Sequence, residues 1–211
     1  MLTRAKFIEQ ILRQIYGTYP SDDASITPML VNQYLDQAIA FAAKTNYNEN
    51  IKLEGIGFVS NSFYTTFKGI TISKDENGLW VLTLPQVPVG IGASEGVSTL
   101  VLKDDKNKIS LPLVPLTQNQ KTYFQSMQNL PFKTLYYVEG SYAYIISPLK
   151  LSDYTATVTL ISGGDSTDLS SNLNVPGDYI PAIVQYIQQQ LMVMKTTPRD
   201  LGNDGTDLSQ N

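Results

Sequence analysis

The chain contains no cysteine and no histidine. Without cysteine there can be no disulfide, no thiolate metal site and no cysteine nucleophile. Without histidine the chain lacks the commonest general base near neutral pH and the commonest transition-metal ligand. Serine–histidine hydrolysis and zinc-protease chemistry therefore cannot be built from this chain alone. Charge is also scarce: charged residues make up 16% of the sequence, against about a quarter in ordinary domains. Acidic residues number 19 and basic residues 15, for a net charge of -4. A uniformly basic nucleic-acid binder or anionic-membrane binder is thereby disfavoured. No apolar run approaches the length that spans a bilayer. Glu9, Gln10, Arg13 and Gln14 interrupt any apolar core of a leader behind Arg4 and Lys6. There is no Asn-x-Ser/Thr acceptor, and synthesis in the cytoplasm is the simplest expectation.

What is present is neutral polarity. Ser, Thr, Asn and Gln account for 63 of the 211 residues, and hydrophobic residues for 42%. A surface of this kind resists packing against its own copies less than a highly charged one. The 13 tyrosines add contact area at low entropic cost. Composition thus leans toward a protein that assembles.

The pattern of elements is helices, then strands, then a helix. Ile8, Ile11, Leu12 and Ile15 form one apolar stripe, which predicts a helix over residues 3–16 with Thr3 as N-cap and Gly17 at its end. Thr27 and Pro28 open a second helix. Its apolar face runs from Leu30 to Ala42, and it is expected to fade near Lys44, with a turn at residues 46–50. Short β-branched or aromatic runs follow at residues 63–73, 79–84, 98–103, 134–139, 142–147 and 155–162. Asn77-Gly78 and Glu139-Gly140-Ser141 read as hairpin turns, residues 104–108 as a polar turn, and residues 118–128 as a short helix. The prolines at 85, 88, 112, 115, 131 and 148 are expected between strands. Residues 163–174 read as a linker. Pro176-Gly177-Asp178 starts a third helix with Ile180, Ile183, Val184, Ile187, Leu191 and Met194 on one face. The expected fold is α+β: a bundle of N- and C-terminal helices with an inserted, mainly antiparallel β domain, sandwich or barrel-like. The parts are residues 1–50 (helices), 51–162 (β domain), 163–195 (linker and last helix) and 196–211 (tail).

No catalytic constellation emerges. Asp22/Asp23, Asp75/Glu76 and Asp104/Asp105 are adjacent pairs in predicted turns, not carboxylates facing each other across a cleft. The stretch from Asp200 to Gly205 departs from a calcium loop at its third position, Gly202, and its twelfth, Asn211. Gly90, Gly92 and Gly96 are spaced one residue too wide for a dinucleotide fingerprint, and Glu95 would repel a pyrophosphate. Tyr136, Tyr137, Tyr142 and Tyr144 could form a stacking platform for sugars or bases, or serve ordinary sheet packing. The expectation is no enzyme, no cofactor and no metal.

The order of parts resembles the small neck and tail-ring proteins of tailed bacteriophages, in particular those of crAss-like podoviruses that infect Bacteroidales. The likeness is carried by the first helix, by SDDASITPMLVNQYLDQAI leading into the second, by LTLPQVPVGIG and LYYVEGSYAYIISP in the β insertion, and by VPGDYIPAIVQYIQQQLMVMKTTPRDLGNDGTD at the end. The resemblance implies a non-enzymatic virion protein that forms a homo-oligomeric ring of about twelve copies, a closed head-to-tail assembly. Its implied partners are the portal protein and other neck or tail rings. Packaged DNA would pass through the lumen without sequence-specific binding, and no membrane is involved. The tail has only Leu201 and Leu208 as apolar anchors, too few to fold alone. It is expected to be either disordered or docked on something else, and on the ring reading the residues expected to dock on a neighbour are Arg199, Asp200, Leu201, Asn203 and Asp204. The competing expectation is a carbohydrate-binding module of a phage fibre or bacterial surface protein, using the tyrosine strands.

Overall fold

Helix α1 (Arg4–Tyr16) begins where its cap dictates: the Thr3 side chain accepts a hydrogen bond from the Lys6 amide. It ends at Gly17, which takes the left-handed conformation and returns its N–H to the Arg13 carbonyl. Helix α2 (Pro28–Glu54) follows the same rules, with Thr27 capping the Leu30 amide and Gly55 closing the last turn. After a 3-10 turn at Gly177–Tyr179, helix α3 covers Ile180–Thr196, and Pro181 sits in its first turn, where a missing N–H does little harm. This computed structural model describes residues 2–17, 26–91, 96–104, 108–116, 120 and 134–196. All but Gln120 of the expected helix at 118–128, and most of the turn at 104–108, lie outside the described residues.

Among the described residues nine strands lie between α2 and α3: β1 (Tyr64–Thr71), β2 (Ser73–Lys74), β3 (Trp80–Thr83), β4 (Val97–Asp104), β5 (Ile109–Pro112), β6 (Val114–Pro115), β7 (Leu135–Glu139), β8 (Tyr142–Ile146) and β9 (Thr155–Ile161). They form two sheets, ordered β1-β9-β4-β5 and β2-β3-β8-β7-β6. Every pairing is antiparallel except β6 with β7. The chain changes sheets between β1 and β2, and Ile72 at that corner is buried.

The inner faces of both sheets meet in one core. Leu100, Leu102, Ala156, Val158 and Leu160 come from the first sheet, and Leu82, Tyr136, Ala143 and Ile145 from the second. The two-residue period of β9 accounts for its share directly. In β4 a bulge between Val97 and Thr99 brings Val97 and Leu100 to the same side. The sheets do not close into a barrel among the described residues.

A second core joins the three helices to one end of the first sheet. Phe7, Ile8, Ile11, Leu35, Ile39, Ile183 and Ile187 pack there with Phe63, Ile91 and Ile161. The α+β architecture is thus as expected, with both sheets mostly antiparallel.

Three elements differ from the sequence reading. Helix α2 runs on to Glu54 rather than fading near Lys44. Strands β5 and β6 were absent from the reading, and Pro112 and Pro115 lie within them rather than between strands. Both are edge strands, the one place where a residue without an N–H can join a sheet. Asp104 is not a solvated turn residue: it ends β4, pairs with Ile109 and is buried.

Candidate functional site

The first feature is a buried network under the N-terminus of α1. Arg4 falls on the same helical stripe as Ile8 and Ile11 and is 0% exposed. Its guanidinium donates to Asn32 Oδ1 at 2.8 and 3.2 Å, to Asp36 Oδ1 at 2.5 Å and to the Gly163 carbonyl at 3.4 Å. Asn32 and Asp36 are one turn apart on α2, so both face the same cation. Asn32 in turn donates to the Ser166 carbonyl at 3.0 Å. Backbone bonds complete the joint: Arg4 and Ala5 donate to the carbonyls of Ser171 and Leu169, and Leu173 donates to that of Leu2. The expected linker is thereby a strap that fastens α1 to α2. Sequence reading missed this role for Arg4; its signal was a charge standing in an apolar stripe.

A cleft of about 510 Å³ opens beside this network. Its walls are α2 residues Asp36, Ile39 and Lys44, the Val87–Pro88 segment and Ser162. The Asp36 side chain is 40% exposed here while its Oδ1 holds Arg4. Burial raises its carboxyl above the usual carboxylate range, and the Arg4 charge and hydrogen bond oppose that rise. A carboxylate already engaged by a guanidinium is a structural anion and not a poised general base.

The second feature is an arm. The last fully buried residue of α2 is Ala43; Tyr47 still packs on the edge of the helix core, and the last turn, residues 51–54, is exposed. After Gly55 the chain folds back along them. The Asn50 side chain donates to the Phe58 carbonyl at 2.9 Å, and Asn46 Oδ1 accepts the Ser60 amide at 2.9 Å. At Gly57 a Cβ would lie 2.4 Å from the Tyr47 ring, so any larger residue would have to displace that ring. The tip of the arm presents Ile51, Leu53, Ile56 and Phe58, with Leu53 82% and Ile56 66% exposed. Its base is braced by Tyr179, whose hydroxyl donates to Glu49 and accepts from Asn46. Burial, with the Glu49 carboxylate behind it, raises the Tyr179 hydroxyl pKa above its ordinary value.

The tyrosine strands do not form a flat platform. Tyr136 is buried between the sheets, where burial pushes its pKa up to about 12. Tyr137 lies on the opposite face and stacks on Tyr144 with centroids 5.1 Å apart. Tyr142 is the more exposed ring and is tilted 55° from Tyr144. Asp75 occupies a turn as expected, with Oδ1 accepting the Asn77 and Leu79 amides. Asp22, Asp23, Asp105, Gly92 and Glu95 lie outside the described residues, as do the expected interface residues Arg199, Asp200, Leu201, Asn203 and Asp204.

Among the described residues there is no group of three or more acidic side chains placed to hold a metal ion. Nor is any described helix long and apolar enough to cross a membrane. No protein-family model matches the chain, and no curated protein matches it.

Proposed function

We propose that this chain is a structural virion protein that assembles into a ring in the neck or tail of a tailed bacteriophage, linking portal to tail and continuing the DNA channel. The observation that carries the reading is the rigid arm at residues 51–58, whose apolar tip has no cover within the described chain. An exposed apolar tip on a weakly charged surface calls for a protein partner. The order of parts, two helices, a two-sheet insertion and a closing helix, agrees with the resemblance to neck and tail-ring proteins. The three helices, which share one core, are read as a bundle around the channel, with the sheets facing outward or toward the next ring. A net charge of -4 suits a lumen along which DNA slides without sticking.

Native mass spectrometry over rising concentration, with negative-stain images of the largest species, tests this. A closed ring of about a dozen copies is expected. A chain that remains monomeric both alone and with the portal protein, and that is absent from purified particles, would overturn the proposal. The carbohydrate-module reading draws no support from the tilted, partly buried tyrosines.

A further inference from the structure

We propose that the arm of one copy docks in the cleft of the next, so that α2 supplies both halves of a head-to-tail contact. This inference rests on the ring reading and specifies its interface. Both surfaces belong to one helix but cannot meet within one molecule. Lys44 lines the cleft and Leu53 tops the arm. Nine residues of continuous helix hold them about 13 Å apart along its axis. The arm is pinned along its length by Asn46, Asn50 and Tyr47, so it cannot bend back to fill its own cleft.

Shape and charge favour a second copy as the occupant. The cleft has apolar walls at Ile39, Val87 and Pro88 and a volume of about 510 Å³, in the range that accepts a few side chains. The arm offers Leu53 and Ile56 as the exposed apolar inserts. Each surface also carries one charge of each sign: Asp36 and Lys44 at the cleft, Lys52 and Glu54 on the arm. Lys44, Lys52 and Glu54 make no ion pair with any described residue. In the docked arrangement Glu54 lies near Lys44, and Lys52 lies near the exposed part of the Asp36 carboxylate, whose Oδ1 already holds Arg4, at the rim of an apolar contact. Because the two surfaces differ, the contact repeats from copy to copy and closes into a ring when the rotation permits.

The absence of native cysteine makes the test clean. Leu53→Cys and Val87→Cys each place one thiol at an exposed position, on the arm and at the cleft rim. With a short bis-maleimide, a mixture of the two variants should cross-link about tenfold faster than either alone, because docking holds the thiols at high effective concentration. The Leu53→Asp/Ile56→Asp variant should stay monomeric where the wild-type chain assembles. Cross-linking of Leu53→Cys alone at the rate of the mixture would mean arm-to-arm contact and overturn the proposal. So would rings formed normally by the double aspartate variant, which would leave the ring reading standing. A mixture that cross-links no faster than either variant alone, with the portal protein present, overturns the docking; a wild-type chain that also stays monomeric with the portal and is absent from purified particles overturns the ring reading as well.

Discussion

At the residue scale, the Arg4–Asp36 pair is asymmetric, and its two halves have different consequences when removed. Arg4 is fully buried, whereas the Asp36 side chain is 40% exposed. Asp36→Ala leaves the buried guanidinium without its paired carboxylate, with Asn32, the Gly163 carbonyl and the more distant charge of Asp165 to receive it. Because Asp36 is partly exposed, the loss expected in urea unfolding is smaller than for a fully buried pair, at about 2 kcal/mol. Arg4→Met removes the buried charge itself and lets Asp36 turn to the water of the cleft. It should be clearly milder. Equal losses from the two variants would contradict this account. Tyr136 sets a different limit. Its pKa is about 12 against an ordinary 10, so between those pH values the unfolded chain releases the phenolic proton first. The contribution is complete below pH 10 and declines by about 1.4 kcal/mol per pH unit as pH rises through the folded value. Tyr136→Phe should flatten the alkaline limb of the stability curve. Part of the slope will remain, because burial also raises Tyr64 and Tyr179.

At the scale of elements, the legible parts were those whose local chemistry agrees with their packing. The caps at Thr3, Gly17 and Thr27, the apolar stripe of α1 and the Gly140 hairpin could all be read from neighbouring residues. The far half of α2 could not be read, because Asn46, Asn48 and Asn50 are turn formers by local preference. Asn46 and Asn50 are instead one helical turn apart, and their side chains hydrogen-bond the returning segment. A tertiary contact overrides the propensity, and the one sequence trace of it is the C-terminal glycine at position 55. The same reasoning explains the missed edge strands, where a proline is tolerated only because of where the strand lies. The Arg4 network was illegible for a related reason: its partners at Asn32, Asp36 and Gly163 are 28, 32 and 159 residues away. Asn46→Ala tests the override directly. It removes the acceptor for the Ser60 amide and a donor to Tyr179, for an expected loss of about 1–3 kcal/mol. Hydrogen exchange should quicken in residues 55–60 while the sheet amides stay protected. Unchanged exchange there would mean that the arm does not depend on this asparagine.

For the molecule as a whole, the division of labour is between two cores that hold the fold and surfaces that are left for partners. The inter-sheet core and the helix-centred core draw on residues from Phe7 to Leu191. The stretch from 196 to 211 contains only Leu201 and Leu208 as large apolar residues beside a run of Gly, Asn, Asp and Thr. So little apolar area in its sequence can add little to the stability of either core. Deleting residues 196–211 should therefore leave the urea midpoint unchanged. If Arg199, Asp200, Leu201, Asn203 and Asp204 dock on a neighbour, the same deletion should weaken assembly, seen as a shift of the native mass spectrum toward smaller species at equal concentration. A milder arm variant, Ile56→Ala, separates the two contacts: combining it with the deletion should weaken assembly further than either change alone if arm and tail engage different surfaces of the neighbour. A truncated chain that assembles like the full one would remove the tail from the interface and leave the arm as the element that joins the copies.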